Sequence, residues 1–329
     1  MLGGLTRRVA YEEKIRTEKQ GVLIVDSGDL FFAPSSGANS EKDLAKARLI
    51  SRAYKHMGAA AINVGDLDLL QGVDFLRSEY SQGLPLISAN LLNPSTKAPI
   101  FSPYVIRQAG GVRVAFFGLL PSEFPPGAGI AIKNANEGKI LIKDPVEAAR
   151  ETVQKLKGQA DLIVLLSDLG LYKDQTIAQA VPGIHFILGG HEGRFMKKSQ
   201  QAGTTHILQS SVKGMYVGQL RLVFENPTSH FKDEGEPQQI QERINALDLH
   251  LRSLQGAKER PAGQSMDNID RAIQDVTKQK NALQEELQRA QNSVFQRNRF
   301  LFTLEPMEVR LPEDETVRKW ISEAGIDKD

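Results

Sequence analysis

Residues 162–170 have the sequence LIVLLSDLG, an unbroken apolar run that ends in Ser167, Asp168 and, two positions later, Gly170. An apolar run of this length predicts a strand buried on both faces. Similar runs recur at residues 22–25, 60–64, 85–89, 112–117, 184–188 and 205–208. Helical patterns separate several of them, most clearly at residues 41–57 and 145–157. This alternation of strands and helices predicts an α/β domain.

A different pattern occupies the region from about residue 237 to residue 298. Apolar residues recur there in steps of three and four, in two series that start at Ile240 and Ile269 and end at Leu254 and Val294. A break at residues 256–263, which contains Pro261, separates the two series. Heptad spacing of this kind predicts two helices that form an antiparallel, coiled-coil-like hairpin.

The last residues return to a mixed pattern, with a strand expected at residues 300–311 and a short helix at residues 315–324. We therefore expect three parts. Residues 1–230 form the α/β domain, residues 231–299 form the helical hairpin, and residues 300–329 return to the first domain.

Composition excludes several classes of protein. The chain has 329 residues, with 41 Lys and Arg against 40 Asp and Glu, and this balance argues against a nucleic-acid binder. The absence of cysteine excludes disulfides, thiolate metal sites and cysteine nucleophiles. No apolar run approaches the roughly 18 residues of a membrane span. The first residues lack an apolar signal region, so we expect a cytoplasmic protein, or a periplasmic or extracytoplasmic one if a leader is missing from this chain.

Polar residues follow four of the predicted strands. Asp29, Asp66, Asp168 and His191 each come shortly after an apolar run, and a glycine lies close to each of them. Ligand sites in α/β sheets gather where strands run into loops, so these side chains could meet at one cation that prefers oxygen ligands. The alternative is that each aspartate is a turn residue or a helix cap.

Six short segments then occur in a recognisable order. They are residues 3–8 (GGLTRR), 26–29 (DSGD), 65–68 (GDLD), 88–91 (SANL), 167–170 (SDLG) and 189–193 (GGHEG). Residues 3–225 thereby resemble the metallophosphoesterase domain of the 5′-nucleotidase/UDP-sugar hydrolase family, the calcineurin-like phosphoesterases. The resemblance implies a four-layer α/β/β/α sandwich, to which this chain adds a C-terminal antiparallel helical hairpin.

The resemblance also implies a set of metal ligands. Asp29 matches the aspartate that bridges two metals in the family, and His191 matches the first histidine of the last motif. Asp66 stands in place of a ligating asparagine, and Asp168 in place of a ligating histidine. All four can still coordinate one divalent cation (Mn²⁺, Mg²⁺, Ca²⁺ or Zn²⁺), and the alternative of no metal stays open.

Other positions of the family pattern have lost their chemistry. Leu67 occupies the position of the catalytic histidine, so we assign no catalytic residue, and Gly193 replaces the last histidine ligand. The family's Asp-X-His motif would lie upstream of Gly3. Arg194, next to His191, is a candidate anion-binding residue or a partner of the carboxylates.

Three hypotheses remain. The first is a catalytically impaired or inactive metallophosphoesterase-like protein, a pseudoenzyme that acts as a binding or scaffolding module. Its partner would be an unknown protein or a second copy of the chain, bound through the hairpin at residues 237–298. The second is a metal-dependent phosphoric ester hydrolase, similar to 5′-nucleotidases, that uses the remaining single-metal site. The third is a fragment whose longer gene product supplies the Asp-X-His motif and a leader.

Overall fold

The computed structural model describes residues 2–34, 40–226, 230–259, 266–292 and 298–326. In these ranges the helices are α1 Leu5–Glu18, α2 Glu41–Met57, α3 Val73–Ser81, α4 Gly129–Ala135, α5 Pro145–Leu156, α6 Leu171–Ala180, α7 Glu236–Glu259, α8 Met266–Asn292 and α9 Glu315–Glu323, with a 3₁₀ helix at Leu67–Gln71. The strands are β1 Val25–Asp26, β2 Ala61–Asn63, β3 Leu86–Ile87, β4 Leu91–Leu92, β5 Tyr104–Ala109, β6 Val112–Leu119, β7 Leu141–Ile142, β8 Leu162–Ser167, β9 Phe186–Gly189, β10 Gln200–Ala202, β11 Thr205–Gln209, β12 Tyr216–Val223, β13 Phe231–Asp233 and β14 Asn298–Pro306.

Two sheets form the centre of the α/β region. The smaller sheet has the order β1-β2-β3, and its strands pair in parallel. The larger sheet has the order β10-β11-β9-β8-β6-β5. Its four inner strands run parallel, and its two outer pairs are antiparallel. Strand β2 contacts β6 and β8, so the two sheets face each other.

Helices cover the outer face of each sheet. Val9 of α1, Tyr54 of α2 and Leu76 of α3 share one buried core with Ile62 of β2. A second core joins the larger sheet to α5 and α6 and includes Phe117, Ala149, Leu165, Ile177 and Ile187. The predicted four-layer α/β/β/α sandwich is therefore confirmed. Apolar residues on both faces of β6 and β8 explain why continuous runs predicted these strands.

The chain divides into two compact units, Met1–Gln219 with Thr303–Asp329, and Leu220–Phe302. In the second unit, Lys258 of α7 pairs with Asp270 of α8 at 2.6 Å, and Lys280 of α8 pairs with Asp248 of α7 at 2.5 Å. Along α8 the paired residues run forward from Asp270 to Lys280, whereas their partners on α7 run back from Lys258 to Asp248. The two helices are therefore antiparallel. Ile240, Ile244, Leu283 and Ala290 form their core. The predicted helical hairpin is thus confirmed.

Several boundaries differ from the sequence expectations. Helix α7 continues through Gly256 to Glu259, so the helix extends into the predicted break at residues 256–263. Pro261 and Val294 lie outside the described residues. Strand β14 ends at Pro306 rather than at residue 311. Among the described residues, no helix combines the length and the apolar character needed to cross a lipid bilayer.

Candidate metal centre

Four chain segments that leave strand ends converge in the first unit. Asp29, Asp66 and Asp168 follow the ends of β1, β2 and β8, and His191 follows β9. Because β1 pairs in parallel with β2, and β8 with β9, the loops within each sheet leave at the same edge. One ligand atom from each of the four side chains lies within 4.8 Å of the other three. The structure therefore brings all four predicted ligands together.

The turn that carries Asp29 has an unusual backbone conformation. Asp29 has φ of 55°, in the left-handed region that few residues other than glycine adopt. Its carboxylate Oδ1 accepts a hydrogen bond from the Leu67 backbone N–H at 2.9 Å. A side chain on Gly65 would overlap the Asp29 backbone nitrogen and carboxylate, so glycine permits this close approach. Strained backbone of this kind is concentrated at functional sites.

Asp68 holds the same turns from inside the protein. Its carboxylate is fully buried and accepts backbone N–H bonds from Asp29 at 3.1 Å, Phe31 at 2.9 Å and Gly65 at 2.9 Å. These bonds connect the loop after β1 to the loop after β2. Asp68 therefore supports the site without belonging to the ligand cluster.

Asp168 contacts two other members of the cluster. Its Oδ2 accepts a hydrogen bond from the Asp66 backbone N–H at 2.8 Å, and its Oδ1 lies 3.3 Å from His191 Nδ1. The Asp66 and Asp168 side chains are fully buried, whereas the His191 side chain is 31% exposed. The cluster consequently has a closed side, formed by the two carboxylates, and an open side at the imidazole.

The residues fit a divalent cation. Within the described part of the chain, neither carboxylate oxygen of Asp66 has a hydrogen-bond partner, although both are buried. Such orphaned atoms are rare in folded proteins, because an unpaired buried carboxylate is unfavourable. A cation coordinated by three carboxylates and one imidazole would satisfy them, and this donor set suits Mg²⁺, Ca²⁺, Mn²⁺ and Zn²⁺.

Burial raises the pKa values of these carboxyl groups. The pKa of Asp29 rises to about 10, through burial first and then through repulsion by Asp168, Asp68 and Asp66. Burial also raises the pKa of Asp66 and that of Asp168. In the absence of a cation Asp29 therefore retains its proton at neutral pH, and a cation that binds would displace it.

Apolar groups lie at the two positions where the family resemblance implies a histidine, the catalytic one at Leu67 and the last ligand at Gly193. The Leu67 side chain packs against the core of the smaller sheet. Gly193 has φ of 58°, and a Cβ there would overlap the Val212 side chain. A histidine at position 193 would therefore require both a strained backbone and the displacement of Val212.

The arginines near the site are engaged with acidic groups. Arg194 Nε donates to Glu192 Oε2 at 2.6 Å, and its backbone N–H donates to Gln209. Arg8 lies 2.9 Å from Glu12 and 3.2 Å from Asp26. The role of Arg194 in anion binding stays a prediction.

Three acidic residues near the cluster were not singled out from the sequence. They are Asp68, Asp174 and Glu192. Asp174 is buried and accepts a hydrogen bond from Ser167 Oγ at 2.5 Å. Burial raises the pKa of Asp174 to about 7. Asp68 and Asp174 lie two and six residues after predicted ligands, and this proximity was the available signal.

Sequence comparison finds similarity to metallophosphoesterases and 5′-nucleotidases. The chain is 26% identical over 275 residues to the uncharacterized metallophosphoesterase YunD of Bacillus subtilis (strain 168), covering 82% of this chain and 57% of that protein. It is 25% identical over 270 residues to the 5′-nucleotidase of Rattus norvegicus, covering 72% of this chain and 43% of that protein. The chain is a homologue of the metallophosphoesterases and 5′-nucleotidases.

The structural comparison gives the same fold. The calcineurin-like phosphoesterase YfkN from Bacillus subtilis superposes with a TM-score of 0.64 at 20% sequence identity, covering 99% of this chain and 89% of that chain. No family model matches the chain. The chain spans about half the length of the curated relatives that it matches. The metallophosphoesterase-like fold is thus established, and the cluster of Asp29, Asp66, Asp168 and His191 lies at the strand ends of that fold.

Proposed function

We propose that this chain is a metallophosphoesterase-like module that binds one divalent cation and is impaired in phosphoester hydrolysis. The observation that carries the proposal is the cluster of Asp29, Asp66, Asp168 and His191, whose ligand atoms lie within 4.8 Å of one another. The unpaired carboxylate oxygens of Asp66 support it independently.

The four residues would divide the work of holding the cation. Asp66 and Asp168 would supply buried oxygen ligands, Asp29 a third carboxylate on its strained turn, and His191 a nitrogen ligand at the open side. When bound, a divalent cation supplies positive charge and Lewis acidity. Asp68 keeps the Asp29 turn in place through its three backbone hydrogen bonds.

The positions beside the cluster support impaired hydrolysis. Efficient two-metal hydrolysis needs a second cation and polar groups aimed at the phosphoryl oxygens. Leu67 offers no proton or polar side-chain group, and Val212 fills the space into which a side chain at Gly193 would project. A binding or scaffolding role, with the α7–α8 hairpin as the interaction element, is the corresponding hypothesis.

A second candidate function is phosphoester hydrolysis by the single-cation site. The exposure of His191, at 31%, favours it, because water and substrate can reach the cation from that side. Any such activity would depend on the same four residues as cation binding does.

The test is a calorimetric titration of the purified protein with Mn²⁺, Mg²⁺, Ca²⁺ and Zn²⁺. We expect one ion per chain, with affinity reduced at least about 100-fold by Asp168→Ala and by His191→Ala. Asp161→Asn is the control, because Asp161 lies at the opposite end of β8 from Asp168 and is therefore away from the ligand cluster. Absence of binding at millimolar concentration would refute the proposal.

Hydrolysis of p-nitrophenyl phosphate separates the two candidate functions. We expect little turnover by the cation-loaded protein. Turnover comparable with that of an intact two-metal relative, and abolished by Asp168→Ala, would contradict the proposed impairment of hydrolysis. It would favour the second candidate function, phosphoester hydrolysis by the single-cation site.

A further inference from the structure

A carboxylate–guanidinium pair borders the open side of the ligand cluster formed by Asp29, Asp66, Asp168 and His191. Glu192 directly follows His191, and its Oε2 lies 2.6 Å from Arg194 Nε. The Glu192 side chain is 32% exposed and that of Arg194 is 56% exposed. The pair is therefore accessible to solvent, whereas Asp66 and Asp168 are fully buried.

The second oxygen of Glu192 points toward the loop that carries Asp168. A Cβ built on Gly170, two residues after Asp168, would lie 3.2 Å from Glu192 Oε1 and 3.6 Å from His191 Cδ2. The carboxylate thus lies beside the imidazole and against the backbone that follows Asp168. Its negative charge also reaches the buried Asp174 carboxyl and contributes to raising the pKa of that group.

This arrangement places a fourth carboxylate beside the three that face the cation site. An anion that approached from the open side would meet the charge of Glu192 before it met the cation. It would also find the nearby guanidinium of Arg194 already paired with that carboxylate. One carboxylate would therefore weaken anion binding in two ways, by repulsion and by occupying the arginine.

We propose that Glu192 is a specificity-determining residue that excludes inorganic phosphate and phosphate monoesters from the cation site. This inference rests on the cation site proposed above and explains why the site would accept a cation but disfavour the phosphate group. Replacing Glu192 by a neutral residue should admit phosphate and release Arg194 to bind it.

The experiment measures binding of inorganic phosphate by equilibrium dialysis, with and without saturating Mg²⁺. The proteins are the unmodified chain, Glu192→Gln, the double variant Glu192→Gln/Arg194→Gln, and Asp161→Asn. Asp161 is a suitable control because it is also a partly exposed carboxylate paired with an arginine, Arg113 at 2.7 Å. It precedes β8, whereas the metal cluster follows the other end of that strand.

We expect Glu192→Gln to bind phosphate about tenfold more tightly than the unmodified chain, as removal of one nearby unit charge in a partly solvated site would give. The double variant should lose most of this gain, and Asp161→Asn should behave like the unmodified chain. Equal phosphate affinity in the unmodified chain and Glu192→Gln would overturn the proposal. An equal gain in Asp161→Asn would also overturn it, because the effect would then reflect net charge alone.

Calorimetry with Mg²⁺ on the same proteins separates this inference from the proposed function. If Glu192→Gln weakens cation binding and leaves phosphate binding unchanged, Glu192 is a cation ligand and the inference is wrong. If the unmodified chain binds no cation, the proposed function fails. The inference then fails with it, whereas a chain that binds a cation but shows equal phosphate affinity with and without Glu192→Gln contradicts the inference alone.

Discussion

The ligand cluster and the carboxylates beside it are built from the same residue type at the same strand ends. Asp66 and Asp68 are two residues apart and both fully buried. Asp68 accepts three backbone N–H bonds, while within the described residues neither side-chain oxygen of Asp66 has a partner. Burial is therefore common to Asp66 and Asp68, and the hydrogen-bond partners distinguish Asp68, which serves the fold, from Asp66, which is available to a cation.

Removal of the supporting carboxylate, Asp68, should change the stability of the protein most. Asp68→Ala removes the acceptor of three backbone N–H groups, of which those of Phe31 and Gly65 are buried. We expect the free energy of unfolding to fall by about 3–5 kcal/mol, since each unpaired buried group costs about 1–3 kcal/mol. Urea denaturation in the presence of a chelator measures this change. An effect below about 1 kcal/mol would mean that the loops hold their conformation without Asp68.

Asp174 gives a pH-dependent version of the comparison. Burial raises its pKa from 3.8 to about 7. A carboxyl group with a raised pKa keeps its proton to a higher pH in the folded state than in the unfolded state. Its contribution to stability is therefore lost as pH rises from about 4 to about 7. At about 1.4 kcal/mol for each pKa unit, this loss amounts to a few kcal/mol.

Asp174→Asn should remove that part of the pH dependence, because asparagine carries no charge and can still accept the hydrogen bond from Ser167 Oγ. Urea denaturation at pH 5 and pH 8, in chelator, compares the variant with the unmodified chain. We expect the advantage of the variant to be larger at pH 8. A constant difference between the two pH values would contradict the assignment.

The sequence alone was sufficient for the frame of the site. Continuous apolar runs predicted β6 and β8, and the Ser40 cap and the left-handed Gly58 explain why the helix predicted at residues 41–57 has those bounds. The convergence of Asp29, Asp66, Asp168 and His191 followed from the rule that strand ends meet at a sheet edge, together with the family resemblance.

Other features depend on partners that are distant in sequence. The difference between Asp66 and Asp68 is set largely by the N–H groups of Asp29 and Phe31, which bond to Asp68 and which no local pattern identifies. Arg194 and Glu192 are only two residues apart, but the sequence left open whether Arg194 pairs with a carboxylate or binds an anion. Helix α7 passes through Gly256 because packing against α8 overrides the low helix propensity of glycine.

Asp66→Ala should change stability least, and it tests most directly whether Asp66 differs from Asp68 in its role. The substitution removes two buried oxygens that lack partners, and the Asp66 backbone N–H still donates to Asp168. In chelator we expect the free energy of unfolding to rise by about 1–3 kcal/mol, the cost of leaving a buried polar group unpaired. Saturating Mg²⁺ should stabilise the unmodified chain and leave the variant unchanged, because only the former gains binding energy.

The two variants of neighbouring carboxylates thus have opposite expected signs. Asp68→Ala destabilises the protein with or without a cation, whereas Asp66→Ala trades cation binding for stability. Thermal unfolding with and without Mg²⁺ measures both on one instrument. If Asp66→Ala were destabilising in chelator by as much as Asp68→Ala, the Asp66 carboxylate would be part of the fold, and the cluster would be a structural network rather than a cation site.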